Sequence, residues 1–439
     1  MKKLLLVISI GLVVFASSCK KDSTQPAAKA TDTTKTNTNT NTTTTTTTTT
    51  TKTPAEITAD NKAAMETQGT AFGNEITTIK STKASLAIQN LTSLFSSSST
   101  KAGLVESSLP VGKLLSSFSS NTSGGIVTAL KSGTTSTVDF KSEISKYALT
   151  YTYNPSTKKF DTSAAESANV LKVLFPGSSD SQTNNAEFKI YGMAFSTVST
   201  TNTLYSANNA ITACSAYLKV DGTNAMTYGL SVTYDASGYP SNLSTNLTVD
   251  TYSLTYNLTY TSAKFTSDLS FKHGDVIIMA EGSELDGTLT EAKAKELNTY
   301  YNDSTVASHN AAKIGQFVNT ATVYYQVMDI KIVGSVDALN FTTAIDGLSQ
   351  SDKDNFNQTD ADLVNKYCSL YGIFASTNKK IADITIYAKT PTTGTVVQPA
   401  FMLTFPDGSK SDLQTYVTDP NNFAGLRSQI NSLIPKKTN

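Results

Sequence analysis

The sequence predicts an α+β protein: antiparallel β-meander sheets with N-terminal, inserted and C-terminal helices. Three observations carry this. From Lys146 to about residue 281, apolar side chains recur with a period of two. A Glu-, Lys- and Ala-rich segment at 289–318 interrupts that alternation with helical composition. The chain then closes on Phe423, Leu426, Ile430, Leu433 and Ile434, a stripe at helical spacing that should dock on a sheet. Strand runs with helices before, between and after them define the α+β class.

Residues 1–18 come first. Lys2 and Lys3 precede an apolar run from Leu4 to Phe15. As a helix at ~1.5 Å per residue that run spans about 18 Å, short of a ~30 Å hydrocarbon core, so it predicts a signal peptide and not a membrane span. The small residues Ala16, Ser17 and Ser18 lead directly into Cys19, which resembles a bacterial lipobox with Ala16 where leucine is commoner. The resemblance implies cleavage before Cys19 and a diacylglycerol on its thiol. The competing reading is an ordinary secretory signal. Two or three acyl chains, at ~0.8 kcal/mol per buried methylene, anchor a protein where one does not.

Residues 19–53 form the expected linker. Of residues 31–53, 17 are threonine, with an unbroken run from Thr42 to Thr51. Such a tract buries nothing, cannot offset its ordering entropy and is expected to be an extended tether. Asp-Ser-Thr at 22–24 and Asp-Thr-Thr at 32–34 resemble an O-glycosylation acceptor.

The helical N-terminal segment is expected over 54–140. Thr53-Pro54 supplies a hydroxyl cap and a proline at the first helical position. Phe72, Ile76, Ile79, Leu86 and Leu94 extend the helical spacing, with a break predicted near Gly69 or Gly73. The meander is expected over 141–285, in about eight strands. Asn154-Pro155-Ser156 and Asp221-Gly222 read as turns, the latter because both central positions of a tight hairpin favour positive φ. Tyr252, Leu254, Tyr256, Leu258 and Tyr260 share one face against Ser253, Thr255, Asn257 and Thr259, the pattern of a strand with one wet face. Leu243, Leu247 and Val249 have the opposite parity, which requires a turn or bulge near Asp250. Residues 286–439 read as an α+β region packed with the meander: a strand at Thr322–Val333, a helix at about 349–374, strands at 380–388 and 399–405, and the last helix.

Charge and composition narrow the function. The body from residue 54 carries 28 basic and 33 acidic side chains and a single arginine, Arg427. That cannot neutralise a row of phosphates, so nucleic acid is excluded as a partner. His273 reads as an exposed hairpin-tip residue and His309 as part of a solvated helical face; neither has a metal-ligand neighbour at a suitable spacing. Ser-x-x-Lys occurs at Ser98–Lys101, Ser156–Lys159 and Ser376–Lys379, frequent by chance in so Ser- and Lys-rich a chain. The acids Asp352, Asp354, Asp360 and Asp362 lack the glycine and terminal glutamate of a calcium loop and suit a helix start. Cys214 and Cys368 are read as buried thiols or as a bridge that an oxidising compartment permits. No catalytic set, metal or cofactor is implied.

The stretches YTYNPSTKKF (151–160), VLFP (173–176), TNNAEFKI (183–190), LKVDG (218–222) and LTFPDGSKSD (403–412), with the leader and the Thr-rich linker, resemble a loosely defined set of uncharacterised Bacteroidota lipoproteins. Tyr153 stands where tryptophan is frequent in that set. The resemblance implies an outer-membrane location, on the periplasmic face or the cell surface, and leaves activity blank. The expectation is therefore a non-enzymatic envelope lipoprotein that presents a binding or structural surface to an envelope protein, a glycan or a hydrophobic ligand. The alternatives are a carrier whose half-barrel is lined by Tyr252, Leu254, Tyr256, Leu258 and Tyr260, and an envelope hydrolase of unrecognised type.

Overall fold

A computed structural model describes residues 52–97, 141, 145, 148–197, 210–236, 238, 240–290, 292–293, 296, 316–346, 357–390 and 397–433. The architecture is α+β and mostly antiparallel, with sixteen strands and helices in N-terminal, inserted and C-terminal positions among the described residues. The chain divides into two compact units, one built from Thr70–Thr290, Tyr325–Met328 and Gly425–Asn439, the other from the remainder.

The meander unit begins with the second half of α1 (Pro54–Lys80) and with α2 (Lys83–Ser97). Ten strands follow: β1 (Leu149–Asn154), β2 (Lys159–Ala164), β3 (Leu171–Phe175), β4 (Ala186–Ser196), β5 (Ala210–Val220), β6 (Thr223–Tyr234), β7 (Pro240–Val249), β8 (Tyr252–Tyr260), β9 (Lys264–His273) and β10 (Val276–Gly287). From β3 to β10 each strand pairs with the next in sequence, so short hairpins set the register. Asp221 and Gly222 both take positive φ, 52° and 77°, as the hairpin demands. Asp250, at φ 51°, supplies the turn that reconciles the two parities of β7 and β8.

One departure is topological. The β1–β2 hairpin folds outward, so β1 lies parallel to β3 and β2 becomes the edge. A second is α1, which runs unbroken through Gly69 and Gly73 and ends at Lys80; the interruption before α2 lies at Ser81-Thr82. Glycine lowers helix stability by about 1 kcal/mol without forbidding the helix, and packing offsets that here.

A single cross-strand row shows what holds the unit together. Tyr151, Val173, Phe188, Leu218, Met226, Val249 and Tyr252 are successive ladder partners on one face. All but Val249 are buried. Ala84, Ala87 and Leu91 of α2 belong to the same core, and the two alanines let the helix backbone approach the sheet closely. Phe72 and Ile79 of α1 pack with Tyr252 and Ile278. The side chain of Asp250, in the β7–β8 turn, accepts a hydrogen bond from the Ala84 N–H in the first turn of α2 at 3.3 Å.

The second unit contains β11 (Val318–Val327) up to Tyr324, β12 (Ile330–Asp337), α3 (Ala338–Asp346), α4 (Gln358–Tyr367), β13 (Cys368–Phe374), β14 (Lys380–Lys389), β15 (Gln398–Thr404), β16 (Lys410–Asp412) and α5 (Leu413–Thr418). Strands β12 to β16 are antiparallel neighbours in sequence order. The single strand expected at Thr322–Val333 is two strands around a turn in which Met328 takes φ 51°. The helix expected over about 349–374 stops at Tyr367, and Cys368–Phe374 is a strand with alternating burial. Asn357 and Asp360 cap α4 reciprocally, as acids at a helix start should. Asn365 then completes the backbone of β14, donating to Ile386 O at 2.7 Å and accepting from Ile386 N–H at 2.9 Å. The last helix, α6, spans Ala424–Leu433. The expected helices at 289–318 and at 98–140, His309, Asp352 and Asp354 lie wholly or largely outside the described residues, as do the leader, Cys19 and the linker up to residue 51.

Candidate binding surface

The alternation of the meander gives its strands two faces of different chemistry. On the apolar face Tyr252, Leu254, Tyr256, Leu258 and Tyr260 do lie together on β8, as their spacing requires. Tyr252 is 2% exposed and stacks on His273, with ring centroids 4.3 Å apart, and on Phe271 at 5.8 Å. Its hydroxyl donates to Glu75 of α1 at 3.0 Å. Burial, and then the Glu75 carboxylate, push that hydroxyl up to about 12. The Tyr260 hydroxyl donates to the carbonyl of Leu289. Tyr256 is half-buried opposite Leu269, and its hydroxyl is raised by burial and by Glu281. Leu254 lies between Leu247 and Phe271 across the ladder, and Leu258 between Leu243 and Ser267.

His273 is not the free turn residue that its neighbour Gly274 suggested. It closes β9, stacks on Tyr252, and its Nδ1 lies 2.9 Å from Glu75 Oε2. Glu75 thus joins α1 to two strands through one carboxylate. The signal missed was parity, because His273 falls on the same face as Phe271 and Leu269.

Ser98–Lys101 lies outside the described residues; the other motifs resolve as structure. Ser376 donates from both its N–H and Oγ to the Asp329 carboxylate at 2.7 Å, and Ser156 donates its N–H to Asn154 Oδ1 in the β1–β2 turn. Cys214 and Cys368 are free thiols, the first half-buried and raised to about 11 by burial, the second buried. Asp412 caps α5. Burial opposes its ionisation, yet Tyr387 Oη at 2.5 Å, the Thr415 N–H and Lys389 together hold it well below the carboxylate range. An open depression of about 650 Å³ is lined by Ser196, Thr212, Val232, Thr233, Tyr234 and Asp235 and includes none of the five β8 residues. Among the described residues no three of His, Cys, Asp and Glu converge on a metal-sized site.

The opposite face of β4–β8 is a field of Ser, Thr, Asn and Gly with a charged and aromatic margin. Across the ladder one row runs Tyr191, Ser215, Gly229, Asn246, Thr255. The next runs Lys189, Tyr217, Thr227, Thr248, Ser253, and the Thr227 and Thr248 hydroxyls bond at 2.5 Å. Tyr191 and Tyr217 meet edge to face at 5.7 Å. Tyr217 donates to Glu187 at 2.5 Å, and its hydroxyl is raised far above its usual range by burial and then by that carboxylate. Lys172 reaches Glu166 at 2.7 Å and Glu187 at 3.4 Å, while Lys189 also pairs with Glu166. The Lys172 and then the Lys189 hydrogen bonds pull the Glu166 carboxyl down to about 2. Lys219 lies 4.8 Å from the centre of the Tyr217 ring. The sequence reading missed this cluster because it draws on separate strands; its trace is Tyr and Lys at the polar parity of β4 and β5.

Comparison with known proteins adds no relationship: no protein-family model, curated protein or solved structure matches the chain.

Proposed function

We propose that this chain is a lipid-anchored cell-envelope protein of the outer membrane, non-catalytic, that holds a β-sheet surface away from the bilayer for binding. The observation that carries the reading is the leader, in which a short apolar run closes through three small residues on Cys19 and a threonine tract follows at once. The two-faced meander supports it. The apolar side is engaged by the unit's own helices, so the wide hydroxyl and amide face is the one left to meet a ligand. The internal partners of Tyr252 and Tyr260 speak for a packed face in place of a carrier's groove.

The test is Cys19→Ser in the native host with radiolabelled palmitate. The label should disappear and the protein should leave the membrane fraction. Labelling and fractionation unchanged by the substitution would refute the anchor. Protease treatment of intact cells then reads which side of the outer membrane carries the body.

A further inference from the structure

We propose that the polar face of β4–β7 binds an anionic polysaccharide, whose rings lie over Gly229 beside Tyr191 and whose carboxylates pair with Lys219. This deepens the display reading above by naming its ligand class.

Four observations converge on that patch. Tyr191 is 38% exposed, one of two neighbouring tyrosines on a surface built mainly of hydroxyls, amides and ion pairs. It is held edge-on by Tyr217, which is itself fixed by Glu187. A part-exposed ring already packed against a neighbour suits the C–H face of a pyranose, because stacking there costs less side-chain ordering. Gly229 sits in the middle of a strand, where glycine lowers stability, and a Cβ placed on it would meet nothing within 4 Å. A glycine that relieves no clash in a strand interior marks a close approach from outside. Its ladder neighbours Ser215 and Asn246 are short and polar, so the notch is flanked by groups that pair with sugar hydroxyls.

Charge selects the kind of glycan. The patch holds Lys172, Lys189 and Lys219 against Glu166 and Glu187. The first two lysines pair with the two carboxylates, whereas Lys219 rests on a ring and has no carboxylate partner among the described residues. One ammonium is therefore left for an acidic group, on a patch about 14 Å wide from three interstrand spacings of ~4.8 Å. The face lacks arginine and the apolar centre of a protein interface, which sets it apart from nucleic-acid and protein docking surfaces.

The experiment uses the full chain in detergent, titrated calorimetrically with polygalacturonate, with neutral amylose, and with polyglutamate as a polyanion lacking rings. Polygalacturonate should bind, amylose at least tenfold more weakly, and polyglutamate not at all. Tyr191→Ala and Gly229→Val should each weaken polygalacturonate binding at least tenfold, and Lys219→Gln should reduce it to the amylose level. Absence of polygalacturonate binding overturns the proposal. Equal binding of polyglutamate, or substitutions without effect, overturns it too. Should Gly229→Val fold poorly, Tyr191→Ala at its exposed site decides. Palmitate labelling is independent of these titrations, so failure here and failure of the anchor are distinguishable.

Discussion

Glu75 fastens α1 to the meander through two bonds, and a double-mutant cycle measures that fastening. Tyr252→Phe keeps the ring, and with it the stacking on His273 and Phe271, and removes only the hydroxyl that donates to Glu75 at 3.0 Å. A hydrogen bond to a charged group contributes about 1.5–3 kcal/mol. The Glu75 side chain is 20% exposed and retains His273, so the lower end applies, about 1.5 kcal/mol. For a unit of this size that is a fall of about 3–6 °C in the calorimetric transition. Glu75→Ala removes both bonds and should cost more, and the pair should couple by about 1 kcal/mol. The pH dependence supplies a second reading. Because the folded Tyr252 hydroxyl is pushed up to about 12, the unfolded chain loses this proton first as pH rises. Its contribution is fully present below pH ~10 and is lost between about 10 and 12, so the gap between wild type and Tyr252→Phe should close over that window. Differential scanning calorimetry across pH 7–12 checks both. A coupling below about 0.3 kcal/mol, the level at which independent sites merely add, would refute the clamp.

Two further outcomes follow from the same physics. Cys214, raised to about 11, and the buried Cys368 should resist iodoacetamide at pH 8 and react fully in guanidinium, read by mass spectrometry; prompt native labelling would contradict their burial. Glu166 ionises near 2 in the folded chain, so its stabilising contribution is present above its ordinary value near 4.5 and lost as pH falls toward 2. In urea unfolding, wild type should exceed Glu166→Gln at pH 6, and the gap should narrow steadily from about pH 4.5 downward; a gap at pH 2.5 as wide as that at pH 6 would rule out the ion pairs as its source.

What could be read from the sequence divides along burial. Strand β8 was legible residue by residue because one face is apolar and the other hydroxylic, and Asp221-Gly222 announced its hairpin through turn chemistry. Strand β2 left no trace, since an edge strand whose residues are nearly all exposed needs no apolar parity, and only Phe160 is apolar before Ala164. The parallel seating of β1 on β3 is a consequence of that unseen edge hairpin. The change from α4 to β13 passes through Tyr367-Cys368 with no glycine or proline to mark it, and the turn at Met328 uses a residue that seldom takes positive φ. The patch around Tyr191 was illegible for another reason: Tyr191 and Tyr217 are 26 positions apart, and only the β4–β5 register makes them neighbours.

The placement of that patch follows from the way the meander is closed. The ten strands of the meander need cover on their apolar side, and α1 and α2 pack there from the N-terminal part of the body. Once the apolar side is occupied, every side chain at the other parity must tolerate water, which explains the Ser, Thr and Asn that fill it. Hydroxyls and amides alone would suffice for solubility, so the departures from them call for a separate account. Glu166, Lys172, Glu187 and Lys189 neutralise one another as a surface network, worth little individually. An exposed tyrosine, a mid-strand glycine with open space above it and a lysine over a ring are not needed to close the sheet, though the two rings and the lysine do pack on one another. Those three stand on adjacent strands of one face. Selection for folding gives no reason to gather them there, whereas recognition of a flat, hydroxylated and acidic ligand does.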